Sequence, residues 1–293
     1  MGTLVGMHYP TKLAFGAADH TYVMCSTGLR AWGCWGGKTG GTVLCSGPGS
    51  THQADAIAEP NEHAGVTCYL VNGVCHQAAN RVLFPAGLLV TGARGYGLSS
   101  FMFGTFGRLT GPFGTCSAPF DKHTGITGDL PACLPPALPA TSAQHDARLP
   151  HEIGYFNRVS LAYEKAPPAT LRRGPEDERS LIDFMVELSD YHIEFKLGNR
   201  LGERQGRFRD IRADTEKSRI NLENGFAQRD MSVMEFVARF NLETIAFQKQ
   251  AAGLLDQEEY EVLFDLKYGE FIVLADPEII PRAYPQLALR PQL

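Results

Sequence analysis

Two kinds of hydrophobic patterning divide the chain. Up to about residue 130, apolar positions come in short runs broken by glycine. In HTYVMC (20–25), His20, Tyr22 and Met24 recur with a period of two, which predicts a strand with those three on one face. Asp19, beside His20, points to the other face. LRAWGCW (29–35) returns antiparallel to this strand after Ser26-Thr27-Gly28, and Ser50-x-x-Gln53 caps a short helix, HQADAIAE. VTCYLV (66–71) reads as a strand ending in Asn72-Gly73, and Cys75 opens a helix containing Ala78, Ala79, Arg81 and Leu83. Strand, strand, helix, strand, helix predicts an α+β layout, with the Cys-bearing helix packed centrally on an antiparallel sheet.

The second kind of pattern has the helical period. Leu181, Phe184, Met185, Leu188, Tyr191 and Phe195 keep to one face, and the charged stretch 199–223 is expected to continue as a long solvated helix. Ser232-x-x-Glu235 and Asp256-x-x-Glu259 are capping boxes ahead of Val237, Phe240 and Ile245, and of Leu263 and Phe264. Such stripes make a core within one chain, with a partner helix as the alternative occupant. Between the two patterns lie PACLPPALPATSAQHDARLP (131–150) and APPATLRRGP (166–175), whose prolines deny a continuous helix. The expected division is a papain-like α+β domain over 1–130, a Pro-rich linker over 131–174 with a short ordered piece at IGYFNRVSLAYE, and an all-helical, separable domain over 175–293.

Composition sharpens that division. Of the 59 charged residues among 293, 15 lie before residue 151, whereas 23 of the 31 glycines do. A net charge of −5 without a concentrated basic run gives no electrostatic footprint for nucleic acid. The longest apolar runs fall short of a membrane span, and MGTLVGMHYPTKLAFG lacks the basic start and apolar block of a signal peptide, so the expected location is cytoplasmic. Seven cysteines without CxxC spacing argue for free thiols in a reducing compartment and against a structural zinc site.

Two apparent nucleotide motifs fail on spacing. Gly37-Lys38-Thr39 lacks the glycine a phosphate loop needs five residues earlier, where Trp32 stands, and GARGYG (92–97) has the wrong glycine order for a dinucleotide fingerprint and is a turn. No cofactor is called for. Cys75 is the stronger candidate, because a thiol at a strand-turn-helix junction sits among unpaired N–H groups at the positive helix end, where it loses its proton most readily. His76 is a poor base for it, since neighbouring helical side chains diverge by about 100°. His20, on a strand that could lie across the sheet, is the expected base.

His20 in DHTYVMC followed by Cys75 in GVCHQAANR resembles the circularly permuted NlpC/P60-type proteins of the papain-like group, over about residues 15–110. The resemblance implies a thiol-dependent hydrolase or acyltransferase acting on an amide, isopeptide or ester bond through a thioester, with a substrate that includes peptides. A third polar residue would orient the histidine, for which Asp55 and Gln53 are the candidates. Gln77 or Asn80 would join the N–H of Cys75 in holding the oxyanion. Two other readings stand beside it: a noncatalytic interaction or effector protein on a degenerate hydrolase scaffold, with a protein partner bound by the C-terminal helices, and metal binding through His20, Cys75, His76 and nearby thiols.

Overall fold

The computed structural model describes residues 2–11, 18–26, 30–33, 38–58, 70–71, 73–108, 149–164, 174–228 and 230–275. The fold is α+β, mostly helical, with a four-stranded antiparallel sheet. β1 (Gly2–Tyr9) lies between β2 (His20–Cys25) and β4 (Thr42–Gly49), and β3 (Ala31–Trp32) extends the sheet beyond β2. Val5, Met7 and Tyr9 carry the two-residue alternation that makes β1 a strand.

Register decides which chemistry each face carries. β1 pairs His8 with Thr21 and Tyr9 with His20. Directly opposed residues share a face, so Leu4, Gly6, His8, Thr21, Val23 and Cys25 stand together. Val5, Met7, Tyr9, His20, Tyr22 and Met24 take the other side. Helix α2 (Cys75–Leu83) covers the first face: a Cβ on Gly6 would lie 3.2 Å from Leu83 and 2.7 Å from Cys45 Sγ, so glycine lets helix and strand approach. α1 (Thr51–Ala58), whose start is capped by Ser50 Oγ at 3.2 Å from Gln53 N, joins α2 there. Of the expected strand VTCYLV, residues 66–69 lie outside the described residues, and Leu70 and Val71 form a turn in which Leu70 has φ +67°.

Beyond α2 come α3 (Tyr96–Phe103), α4 (Leu149–Glu164), α5 (Pro175–Leu197), α6 (Arg204–Ala227), α7 (Val233–Ala252) and α8 (Gln257–Phe264). The short ordered piece expected within 131–174 is thus a helix of 16 residues, while 131–148 and 165–173 lie outside the described residues. Ser232 Oγ caps α7 at 3.2 Å from Glu235 N, and Asp256 and Glu259 cap α8 reciprocally at 2.8 and 2.9 Å. Leu181, Phe184, Met185 and Leu188 of the α5 stripe are buried. α3 packs on both α5 and α8, and Gly97 makes the latter approach feasible, since a Cβ there would meet Leu263 O at 2.2 Å. One apolar cluster consequently runs from Leu4 and Val23 through Ala79 and Phe101 to Phe247 and Phe264. Among the described residues no helix is long and apolar enough to cross a membrane.

α6 departs from the expected solvated helix. Arg212, Glu216, Arg219 and Glu223 recur at spacings of four, three and four, which puts them on one helical face, and that face is turned inward. They are tolerated there because they pair with one another and with Arg108.

A buried strip without regular structure leaves α3 and runs through Arg108. Its carbonyls are met by side chains from several elements. Gln77 donates to Gly104 O at 3.0 Å, Asn80 to Thr105 O at 2.8 Å, Arg81 to Phe106 O and Tyr163 to Gly107 O at 2.9 Å, while Arg219 donates to Met102 O in the last turn of α3. Buried irregular backbone needs such partners.

Candidate functional site

Cys75 is the first residue of α2 and is 6% exposed. The group that organises its surroundings is Asp19, immediately before β2. The Asp19 carbonyl accepts from Cys75 Sγ at 3.7 Å and from His76 Nε2 at 3.0 Å. Its carboxylate Oδ2 accepts from His8 Nδ1 at 2.7 Å and from Arg94 N at 3.1 Å, and its own N–H donates to Arg94 O at 2.9 Å. Asp19 falls on the α2 face because it lies two residues from Thr21, the partner of His8.

These bonds assign protons. A carboxylate only accepts, so His8 carries its proton on Nδ1 and Nε2 is the basic nitrogen of the neutral ring. A carbonyl only accepts as well, so His76 Nε2 is protonated, and its Nδ1 meets Ser99 Oγ at 2.7 Å. Both ring nitrogens of His76 are therefore occupied inside the protein. Burial pushes the Cys45 thiol up to about 12, which makes that cysteine inert.

The expected site residues do not converge. His20 is buried on the face turned away from α2, its ring 4.9 Å from that of Tyr9 and 6.3 Å from that of Tyr22. The two-residue strand period separates it from Asp19 and the Cys75 side of the sheet. Asp55 is engaged on α1 with Trp32 Nε1 at 2.9 Å and with Arg30, so it pins β3 rather than orienting a histidine. Gln77 is also spent: Oε1 accepts from Val74 N at 3.0 Å, capping α2, and Nε2 donates to Gly104 O and toward Ser99 Oγ. Asn80 is held by Thr105 O, Tyr96 and Val90 N. None of these amides points a donor at the sulfur.

His8 is not among the sequence candidates because it lies in MGTLVGMHYP, outside the segments read there as strands or helices. The alternation of Val5, Met7 and Tyr9 would have marked a strand and set His8 on its opposite face. Among the described residues, no group of three or more His, Cys, Asp or Glu side chains is arranged to hold a metal ion. No protein-family model matches the chain, and neither a curated protein nor a solved structure was found to match it.

Proposed function

We propose that the protein is a thiol-dependent hydrolase or acyltransferase of papain-like design, acting on an amide, isopeptide or ester bond, with Cys75 as nucleophile, His8 as base and Asp19 as the carboxylate that orients it. The observation that carries this reading is the 2.7 Å bond from His8 Nδ1 to Asp19, the same residue whose carbonyl takes the Cys75 thiol. The thiol bonds that carbonyl only while it holds its proton. Transfer of the proton to His8 Nε2 gives a thiolate beside an imidazolium, the sulfur attacks the substrate carbonyl carbon, and the N–H of Cys75 at the helix start receives the oxyanion. The bond to the leaving amine or alcohol breaks as His8 returns the proton to it. Water, or a second nucleophile in acyl transfer, then gives its proton to His8 and attacks the thioester carbonyl, and the Cys75 sulfur leaves as the C–S bond breaks.

A noncatalytic interaction protein on the same scaffold is the second reading. The internal bonds of Cys75, His76 and Gln77 favour it, since each of the three is satisfied within the fold. Any partner bound by the C-terminal helices would then use their outer faces, because the apolar stripe of α5 is already buried.

The pH dependence of Cys75 carbamidomethylation, followed by mass mapping of the labelled peptide, separates the readings. In the wild type, Cys75 should react at pH 6, where an ordinary thiol with a pKa near 8.5 barely does. His8→Ala and Asp19→Asn should move that reactivity toward higher pH, and His20→Ala should leave it in place. An unreactive Cys75 at pH 6 would favour the noncatalytic reading. A profile moved by His20→Ala and untouched by His8→Ala would return the base to His20.

A further inference from the structure

Among the described residues, four arginine side chains are wholly shielded from solvent: Arg81, Arg108, Arg212 and Arg219. Three of them, Arg108, Arg212 and Arg219, meet the buried carboxylates of Glu216 and Glu223. Glu216 meets Arg108 at 3.2 Å, Arg212 at 2.9 Å and Arg219 at 3.1 Å. Glu223 pairs with Arg108 and stands 3.5 Å from Arg219. Among the described residues that cluster sets three guanidiniums against two carboxylates, and Arg81 pairs with no carboxylate. An interior charge without a counter-charge is among the costliest things a fold can carry.

Some of the excess is softened. Arg219 lies 4.7 Å from the centre of the Phe103 ring and 5.4 Å from that of Phe240, and the negative ring faces attract it. Arg212 Nε donates to Ser189 Oγ at 3.1 Å. Arg81 has much less. Its Nε is used by Phe106 O, and neither Nη1 nor Nη2 has a hydrogen-bond partner. Arg108 Nε and Arg212 Nη1 lack one too. Arg81 and Arg108 both belong to the buried surroundings of this strip, Arg81 through its bond to Phe106 O.

We propose that the buried guanidinium of Arg81, on helix α2, binds a small oxyanion of the phosphate or sulfate class through its unpartnered Nη1 and Nη2. The two terminal nitrogens of a guanidinium lie in one plane and present parallel N–H groups that match two oxygens of a tetrahedral oxyanion. An anion also supplies the counter-charge that Arg81 lacks among the described residues. Water would satisfy the donors and leave the charge, and chloride offers one charge without a second acceptor atom.

The test uses the full chain, desalted into chloride buffer after incubation with inorganic phosphate or sulfate. Unfolding it in guanidinium chloride should release about one oxyanion per chain, measured by ion chromatography, because a site within the core exchanges only when the fold opens. Thermal unfolding at constant ionic strength should show a midpoint that rises saturably with phosphate or sulfate and stays flat with chloride. Arg81→Met should abolish that rise. If this variant does not fold, Arg81→Lys, which keeps the charge and loses the paired donors, should need about ten-fold more oxyanion for the same rise. No released oxyanion together with equal midpoints in all three salts would overturn the proposal, as would a dependence unchanged in Arg81→Lys.

Discussion

Replacing Glu216 by glutamine tests how far the inward face of α6 holds the fold together. The substitution nearly preserves shape and removes one negative charge from a place where three guanidiniums, those of Arg108, Arg212 and Arg219, lie within 3.2 Å. Breaking one partner of a buried ionic group typically costs about 3–5 kcal/mol, because the charges left behind cannot reach water. For a chain of 293 residues, an unfolding entropy of about 2.1 cal/mol/K per residue makes this a fall in Tm of about 5–8 °C. Urea titration with thermal unfolding measures it. Asp190→Asn is the control, since Asp190 pairs at 2.8 Å with a largely exposed Arg209 and should change stability by less than about 0.5 kcal/mol. The acid side supplies a second reading. Burial alone would raise the Glu216 carboxyl, but Arg108, Arg219 and Arg212 outweigh it and hold the group well below the usual carboxylate range. Its contribution is therefore complete above the ordinary value of 4.5 and is lost as the pH falls below it. A loss under about 1 kcal/mol for Glu216→Gln at neutral pH would refute the idea that the cluster acts as a mutually dependent unit.

A separate acid effect belongs to His192, whose imidazole is drawn down to about 3 by burial and then by Lys196, against an ordinary value of 6.5. The native state keeps this ring neutral while the unfolded chain takes up a proton, so stability present above pH 6.5 should fall by about 3 kcal/mol between pH 7 and pH 4. Urea midpoints at the two pH values measure the slope, and His192→Gln should flatten it; an unchanged slope in the variant would assign the effect to other groups. Gly97→Ala should cost about 1–3 kcal/mol, because the new methyl would press on the Leu263 carbonyl where α3 meets α8. Thermal unfolding checks it, and a variant as stable as the wild type would mean that the two helices can move apart freely.

Local pattern made several elements legible before any coordinates. HTYVMC declared β2 through its period of two, the capping residues Ser232 and Asp256 declared the starts of α7 and α8, and Cys75 falls at the first position of α2. The site was less legible because it depends on register, which no single segment contains. Reading His20 as the base required its face to be that of α2, and the pairing of Tyr9 with His20 puts it on the opposite one. The same pairing brings His8 and Asp19 together from strands that sequence spacing alone does not align. α6 illustrates a different limit. A stretch rich in Arg and Glu has the composition of a solvated helix, and the pairing that makes its inward orientation tolerable, within α6 and with Arg108 from a distant segment, is not visible in that composition. The same distance bears on the expected separable domain over 175–293, since α3 and α6 contribute to one interior.

The buried strip after α3 also constrains the order in which the protein can be completed during synthesis. Within it Arg108 finds a carboxylate partner in Glu223, 115 positions later, and Met102 O, in the last turn of α3, receives its donor from Arg219, 117 positions later. At about 5–20 residues per second, the ribosome needs on the order of 6–20 s to supply them. Throughout that interval the nascent sheet and α2 can form their local bonds, while the guanidinium of Arg108 and the end of α3 must stay hydrated. The amino-terminal half therefore waits for α6 before it can close, and a chain halted before residue 219 would expose this strip to chaperones and proteases.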